Sequence, residues 1–339
     1  MWTQATRPGG NDERWPVGRN TPLDGSGKTV AARNRSAFTL LYENGDQGVD
    51  PNDATVANAG PAAADEPLAA AEWPGFRGPE RDAIKEIELG RAQFGVASAD
   101  QVIRAVSKGA PIVVLAQLFQ TNPLHWIYRT DKTPFKNPAD FKGRVVGITF
   151  GGNDEAIMRA LLAKYNITDD ELNLYSVRYD YTPFYQGKVD FWPLYINAQA
   201  PIIGAKLKKA GENYSFVGPA DFGIQFVANS VVTSEKMLES RPDTVKRFIT
   251  ALLQGWREAL DPANKENAIK TVLQFNKETP EAIVRQQLPV TRKLMLPEPD
   301  FEFGKIDVAA WKQTEEIILM QKLIEAPVNI ETMLKPVAE

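Results

Sequence analysis

The stretch Gly143-Arg-Val-Val-Gly-Ile-Thr-Phe-Gly-Gly-Asn-Asp-Glu-Ala-Ile-Met-Arg-Ala-Leu-Leu-Ala-Lys-Tyr165 reads as a strand, a turn and a helix in immediate succession. Residues 143–149 are short and rich in β-branched side chains, Gly151-Gly-Asn-Asp154 supplies the turn, and apolar residues then recur at helical spacing over 155–165. The alternation continues on both sides. Upstream, the pattern predicts a helix over 83–91 ending at Gly90, a strand over 93–97, a helix over 100–108 stopped by Gly109, and a buried strand over 111–119. Downstream it predicts strands over 172–177 and 189–194 around a helical turn at 183–187. Short strands alternating with helices point to an α/β fold built from parallel βαβ units. Beyond a strand-like run at 225–232 the text turns helical. Val245, Phe248, Ile249, Leu252 and Trp256 mark one face of a helix over 243–260, followed by helical segments at 263–275, 280–287 and 308–324.

Composition narrows the function. The 339 residues are enough for two domains of ordinary size. A net charge of -4 argues against nucleic acid, whose phosphates call for clustered Lys and Arg. No run of 18 apolar residues is present, so insertion into a bilayer is not expected. The absence of Cys removes thiolate catalysis, disulfides and a lipid-modified N-terminal Cys, and a single histidine, His125, makes a catalytic triad or a zinc site a poor expectation. Residues 1–21 lack the apolar stretch of a secretory signal. The first 80 residues hold 10 of the 24 glycines and 8 of the 24 prolines, so 1–81 is expected to be an irregular lead with one strand-like run, Ala37-Phe-Thr-Leu-Leu-Tyr42.

Five segments then carry a resemblance. They are Gln93-Phe-Gly-Val-Ala-Ser-Ala-Asp-Gln101, Phe119-Gln-Thr-Asn-Pro123, Phe141-Lys-Gly-Arg-Val-Val-Gly147, Val189-Asp-Phe-Trp-Pro-Leu-Tyr-Ile-Asn197 and Phe226-Val-Ala-Asn-Ser-Val-Val-Thr-Ser234. In this order they resemble the periplasmic substrate-binding proteins related to fungal thiamine-pyrimidine synthase, over roughly residues 82–325. The resemblance implies a type II periplasmic-binding-protein fold: two α/β lobes with parallel-rich sheets flanked by helices, and a helical C-terminal third. It implies crossings near 126–129 and 223–229, one lobe of 82–128 plus 228–339, and another of 129–224. The chain departs from the pattern in lacking a recognisable opening strand–helix unit before Asp82.

Candidate ligand-binding residues follow from position. Ser98 and Asp100 stand between a strand and a helix, at a sheet edge where α/β folds bind ligands and a helix start offers free N–H groups. The plainer reading is an N-cap. Gly151, Gly152, Asn153, Asp154 and Glu155 repeat the arrangement, with glycines that let backbone approach a ligand; a tight turn with a cap is the alternative. Asp154 and Glu155 are further read as an acidic pair for the protonated edge of a 4-aminopyrimidine, against a simple helix-dipole interaction. Trp192, Tyr195, Tyr181, Tyr179 and Trp126 are candidate stacking aromatics. Core packing is the alternative for each, and Trp192 is singled out because Pro193 interrupts regular pairing beside it. Gln120, Asn122, Asn197 and Gln225 are amides near strand ends, able to donate and accept, or simply turn-stabilising. His125 reads as structural, and Lys206-Leu-Lys-Lys209 as a solvated helix face. No catalytic residue, metal ligand or cofactor is assigned.

The resemblance thus implies a monomeric solute-binding protein, periplasmic or extracellular, that hands a small heteroaromatic ligand akin to a thiamine-pyrimidine precursor to an ABC permease. Two other classes stay in view: a pyrimidine-synthase-like enzyme with pyridoxal phosphate on a lysine, and a non-transport interaction module. Without Cys the synthase's cysteine-rich motif is missing, which favours binding over catalysis.

Overall fold

The computed structural model describes residues 83–177, 180–276, 278–298 and 301–337. The lead segment 1–81, its strand-like run and Tyr179 lie outside them. In chain order the elements are α1 (Ala83–Glu88), β1 (Phe94–Ala97), α2 (Ala99–Val106), β2 (Ile112–Gln117), β3 (Leu124–Arg129), β4 (Val145–Ile148), α3 (Asn153–Lys164) and β5 (Asn173–Ser176). Then come α4 (Thr182–Tyr185), β6 (Phe191–Tyr195), α5 (Gln199–Lys209), β7 (Tyr214–Val217) and β8 (Ser230–Ser234). The remainder is helical: α6 (Glu235–Ser240), α7 (Pro242–Leu260), α8 (Lys265–Phe275), α9 (Glu281–Met295), α10 (Val308–Met320) and α11 (Ile330–Met333).

Two sheets result, one of order β1-β8-β2 and one of order β5-β4-β6-β3-β7. They are less parallel than expected. β8 is antiparallel to both neighbours and so is β3; among the described strands, the parallel ladders are those β4 makes with β5 and β6. Parallel pairing needs a helical crossover, which α3 provides between β4 and β5. β3 and β8 instead arrive straight from the other sheet, and nothing obliges them to run with their new neighbours.

The crossing expected at 126–129 is also corrected. Those residues lie inside β3, paired with β6 on one side and β7 on the other. The chain passes between the sheets after Gln117 and before Leu124, and returns after Val217 and before Ser230.

Side-chain alternation gives each sheet two buried faces. Val96, Val113, Leu115 and Val231 pack with Val245, Ile249, Leu252 and Trp256 of α7. Trp126, Val146 and Ile148 of the second sheet share a cluster with Ile157 and Leu161 of α3, while Ile127, Trp192 and Leu194 point the other way, onto Ile203 and Leu207 of α5. The helix expected over 280–287 runs on to Met295 through Pro289, because Leu288, Thr291, Leu294 and Met295 are still buried there.

The close fit of β4 depends on a glycine. A Cβ on Gly147 would lie 2.7 Å from Val177 Cγ1 and 3.1 Å from Pro193 Cδ. Pro193 has no N–H to donate, and the Gly147 carbonyl accepts the indole N–H of Trp126 at 3.0 Å. Trp126 is therefore a buried sheet residue, not a stacking surface.

Candidate functional site

Strand direction fixes which ends of the sheets face the crossings. β3 begins just after the outward crossing and is antiparallel to β6, which is parallel to β4; the carboxyl ends of β4 and β6 therefore lie at the crossing end. β8 begins just after the return and is antiparallel to β1, so the carboxyl end of β1 lies there too. The helices that follow, α2 and α3, start toward the same junction. This is the part of an α/β fold where strand ends and helix starts leave room for a ligand.

At the first sheet, the Ser98 hydroxyl donates to Asp100 Oδ1 at 2.6 Å and the Ser98 N–H to Gln101 Oε1 at 3.2 Å. The Ala99 N–H donates to the Val227 carbonyl at 3.1 Å, fastening the start of α2 to the returning chain. Asp100 is buried, and burial pushes its carboxyl above the usual carboxylate range against the opposing effect of Ser98.

At the second sheet, Gly151 has φ of 81°, a conformation that favours glycine. Asp154 Oδ2 accepts the Thr149 N–H at 2.6 Å and Glu155 Oε2 accepts the Gly151 N–H at 2.7 Å. A side chain on Gly152 would meet Asp154 Oδ1 at 2.5 Å, so the turn and its carboxylates are built around each other. Asn153 is the first residue of α3. The acidic pair thus closes its own turn. Glu155 is in addition bonded to Arg159 at 2.8 Å, and Arg159 also pairs with Asp169.

The amides divide. Asn122 joins the crossings: its Nδ2 donates to the Phe226 carbonyl at 2.8 Å and its Oδ1 accepts the Leu124 N–H at 2.9 Å. Gln120 Nε2 donates to the carbonyls of Gln117 at 3.1 Å and Lys305 at 3.0 Å. The Gln225 N–H donates to Gln313 Oε1. Asn197 differs. Its Nδ2 donates to Thr291 Oγ1 at 3.2 Å, yet its Oδ1 is buried without a partner among the described residues.

Trp192 requires a correction. It is 2% exposed and lies on the face of β6 covered by α4 and α5, with Tyr181 at 5.4 Å and Phe184 at 6.2 Å between ring centroids. Alternation along β6 turns it away from the cluster that Tyr195 joins. Pro193 does not break the register of β6 with β3, where it lies opposite Trp126, and it does not turn Trp192 outward. Tyr181 is half-buried, and burial pushes its phenol up to about 12. Tyr195 is half-buried too, with its N–H bonded to Gln199 Oε1 at 2.8 Å.

Three residues were not foreseen. Phe150, 55% exposed, stands on the turn after β4. An aromatic beside two glycines was the available signal. Thr291 and Gln287 of α9 reach across to Asn197 and to the Ala198 carbonyl, the latter at 3.1 Å. Nothing in local sequence connects residues so far apart. Among the described residues no group of three or more His, Asp or Glu side chains is placed to hold a metal ion.

These features define the fold of the periplasmic binding proteins: two α/β units joined by two crossings, with helix starts facing the junction. Residues 75–265 match the family model described as NMT1/THI5 like, and the chain belongs to that family. The riboflavin-binding protein RibY of Chloroflexus aurantiacus is 24% identical over 257 residues, 70% of this chain and 68% of that protein. The aliphatic sulphonate-binding protein SsuA of Escherichia coli aligns with a TM-score of 0.60 at 16% identity, over 76% of this chain and 80% of its own. SsuA of Xanthomonas axonopodis pv. citri, bound to MOPS, aligns with a TM-score of 0.56 at 18% identity, over 77% and 85%.

Proposed function

We propose that the chain is the solute-binding component of an ABC importer and captures a small, flat heteroaromatic solute between its two sheets. The observation that carries this reading is the pair of strand-to-helix turns, after β1 and after β4, that open toward the same double crossing. Family membership agrees with it, and the name of the riboflavin-binding relative supports a heteroaromatic ring system. Phe150 offers an exposed aromatic face on one of the two turns, and Tyr195 and Ser98 are half-buried near the same junction. Within the heteroaromatic class a thiamine-pyrimidine-like ligand is our specific candidate. Binding and release, without turnover, is the assigned activity, and the periplasm its place, with a permease as partner.

Thermal melting with rising concentrations of riboflavin or a 4-aminopyrimidine tests this. A ligand bound only by the folded state adds about 2.7 kcal/mol of stability at a hundred times its Kd. Stabilisation by one of these compounds, with the compound recovered unchanged, supports the reading. A folded chain stabilised by neither, or one that converts the compound, rejects it.

A further inference from the structure

We infer that the C-terminal helices α9 and α10 clasp the second sheet, with α9 as the fixed side and Gln321 of α10 as a latch that releases when the two units part. The inference goes beyond the solute-binding reading: it concerns how the units move, and its test needs no ligand.

Both helices are built into the first unit. Leu288, Leu294 and Met295 of α9 share a buried cluster with Val113 and Leu115 of β2. On α10 the Trp311 indole N–H donates to Gln117 Oε1 at the end of β2, at 3.2 Å, and the same oxygen accepts the Asp307 N–H at 3.0 Å. Each helix then takes hold of one crossing. The Leu294 carbonyl accepts the N–H groups of Gln120 at 2.9 Å and Thr121 at 3.1 Å on the outward segment. On the return segment Val227 gives its N–H to Thr314 Oγ1 at 3.0 Å, and Gln225 gives its N–H to Gln313 Oε1.

Past the crossings, both helices reach the carboxyl ends of the neighbouring strands β6 and β4. On α9, Gln287 Nε2 donates to the Ala198 carbonyl at 3.1 Å, and Thr291 Oγ1 accepts the Asn197 amide at 3.2 Å. On α10, Gln321 follows Thr314 by two helical turns, on the same face. Its Nε2 donates to the Ala156 carbonyl of α3 at 2.7 Å. Ala156 directly follows Asp154 and Glu155, the pair that closes the turn after β4, so this bond holds that turn against the first unit. Ile317 of α10 and Ile157 of α3 share a buried cluster as well. Apolar packing is non-directional, and the Gln321 bond fixes where the first turn of α3 sits.

Burial separates the two sides. Asn197, Gln287 and Thr291 are buried, so breaking their bonds leaves polar groups unpaired away from water. Gln321 is half-buried between the exposed Met320 and Lys322, and water can take over its bond. Release is therefore costly at α9 and cheap at Gln321. An opening movement turns about α9 and begins at α10.

The chain has no Cys, so two introduced cysteines carry spin labels without competition. Asn173→Cys on β5 and Lys246→Cys on α7 use exposed positions, one in each unit. Pulsed electron paramagnetic resonance on the full, ligand-free chain reads the distance between them. Gln321→Glu keeps the length of the side chain but removes the donor, and should shift the distribution toward longer distances. Gln321→Lys restores a donor and should return the distribution to that of the labelled parent. Thr291→Val removes the hydroxyl that receives Asn197, and should lower the melting temperature while leaving the distances unmoved. A Gln321→Glu distribution that superimposes on the parent overturns the latch, as does a Gln321→Lys protein that stays shifted. A Thr291→Val protein that opens as far as Gln321→Glu overturns the division into a fixed and a releasing side. Failure to bind riboflavin or a 4-aminopyrimidine bears on the solute-binding reading alone.

Discussion

The side-chain amide of Asn122 and the carbonyl of Phe226 are 2.8 Å apart, and their hydrogen bond ties the segment leaving the first sheet to the segment returning to it. The same side chain accepts from Leu124, inside a buried surround. Asn122→Leu fills the volume but leaves a donor and an acceptor of the backbone unpaired. The expected loss is roughly 2–6 kcal/mol, taking each of the two orphaned groups at the usual cost of about 1–3 kcal/mol. Urea unfolding measures it, and an unchanged midpoint would mean that the two crossings hold together without this bond.

Gly147→Ala tests the packing of β4. The new methyl would press on Val177 and Pro193, and overpacking of this kind costs about 1–3 kcal/mol. The melting temperature should drop, while Gly143→Ala, whose Cβ meets no atom within 4 Å but whose φ is 72°, should lose stability through backbone strain alone. Equal heat capacity and slope changes in the two variants would argue against a packing origin for the first.

Trp192→Ala should act on folding and not on recognition. Emptying a buried indole site costs about 3–5 kcal/mol, and the neighbours Tyr181 and Phe184 lose their ring contacts with it. Riboflavin titrated into the remaining folded protein should show affinity within experimental error of wild type. Lost affinity with unchanged melting would return Trp192 to the ligand.

Asp100 gives a pH prediction with a definite sign. Burial raises its folded pKa above the ordinary 3.8, so the folded chain holds that proton more tightly than the unfolded chain does. The stabilisation is complete below the unfolded value and is lost as pH rises through the folded one. Asp100→Asn lacks this titration. Its unfolding free energy relative to wild type should therefore increase with pH above about 4 and level off only once the pH has passed the folded value. Chemical denaturation across that range measures the difference, which also cancels the carboxylates lowered elsewhere, such as Glu171 beside Lys142. A difference that decreases with pH contradicts the assignment.

Much of the architecture was legible because local and global signals agree. β-branched runs formed β2, β4 and β8, Gly109 ended the turn after α2, and Val245, Ile249, Leu252 and Trp256 became the buried stripe of α7. Strand direction was not legible. Leu124–Arg129 carries the same apolar text whether it crosses between sheets or pairs inside one, and only the distant partners Phe191–Tyr195 and Tyr214–Val217 decide. The site was partly readable for the same reason. Ser98, Asp100 and the Gly151–Glu155 turn follow from a strand running into a helix. Which face Trp192 occupies depends on the phase of β6, and the link from Asn197 to Thr291 spans 94 residues.

Gly147 and Pro193 also bear on how the second sheet assembles. One residue lacks a side chain and the other lacks a backbone donor, and they meet where β4 lies against β6. A slip by one residue would turn every side chain of β6 to the wrong face. A slip by two would keep the faces but bring Phe191 or Tyr195, each bulkier in place of Pro193, over the bare backbone of Gly147. Only one alignment lets β4 and β6 close up, so side-chain shape selects the register alongside the hydrogen bonds.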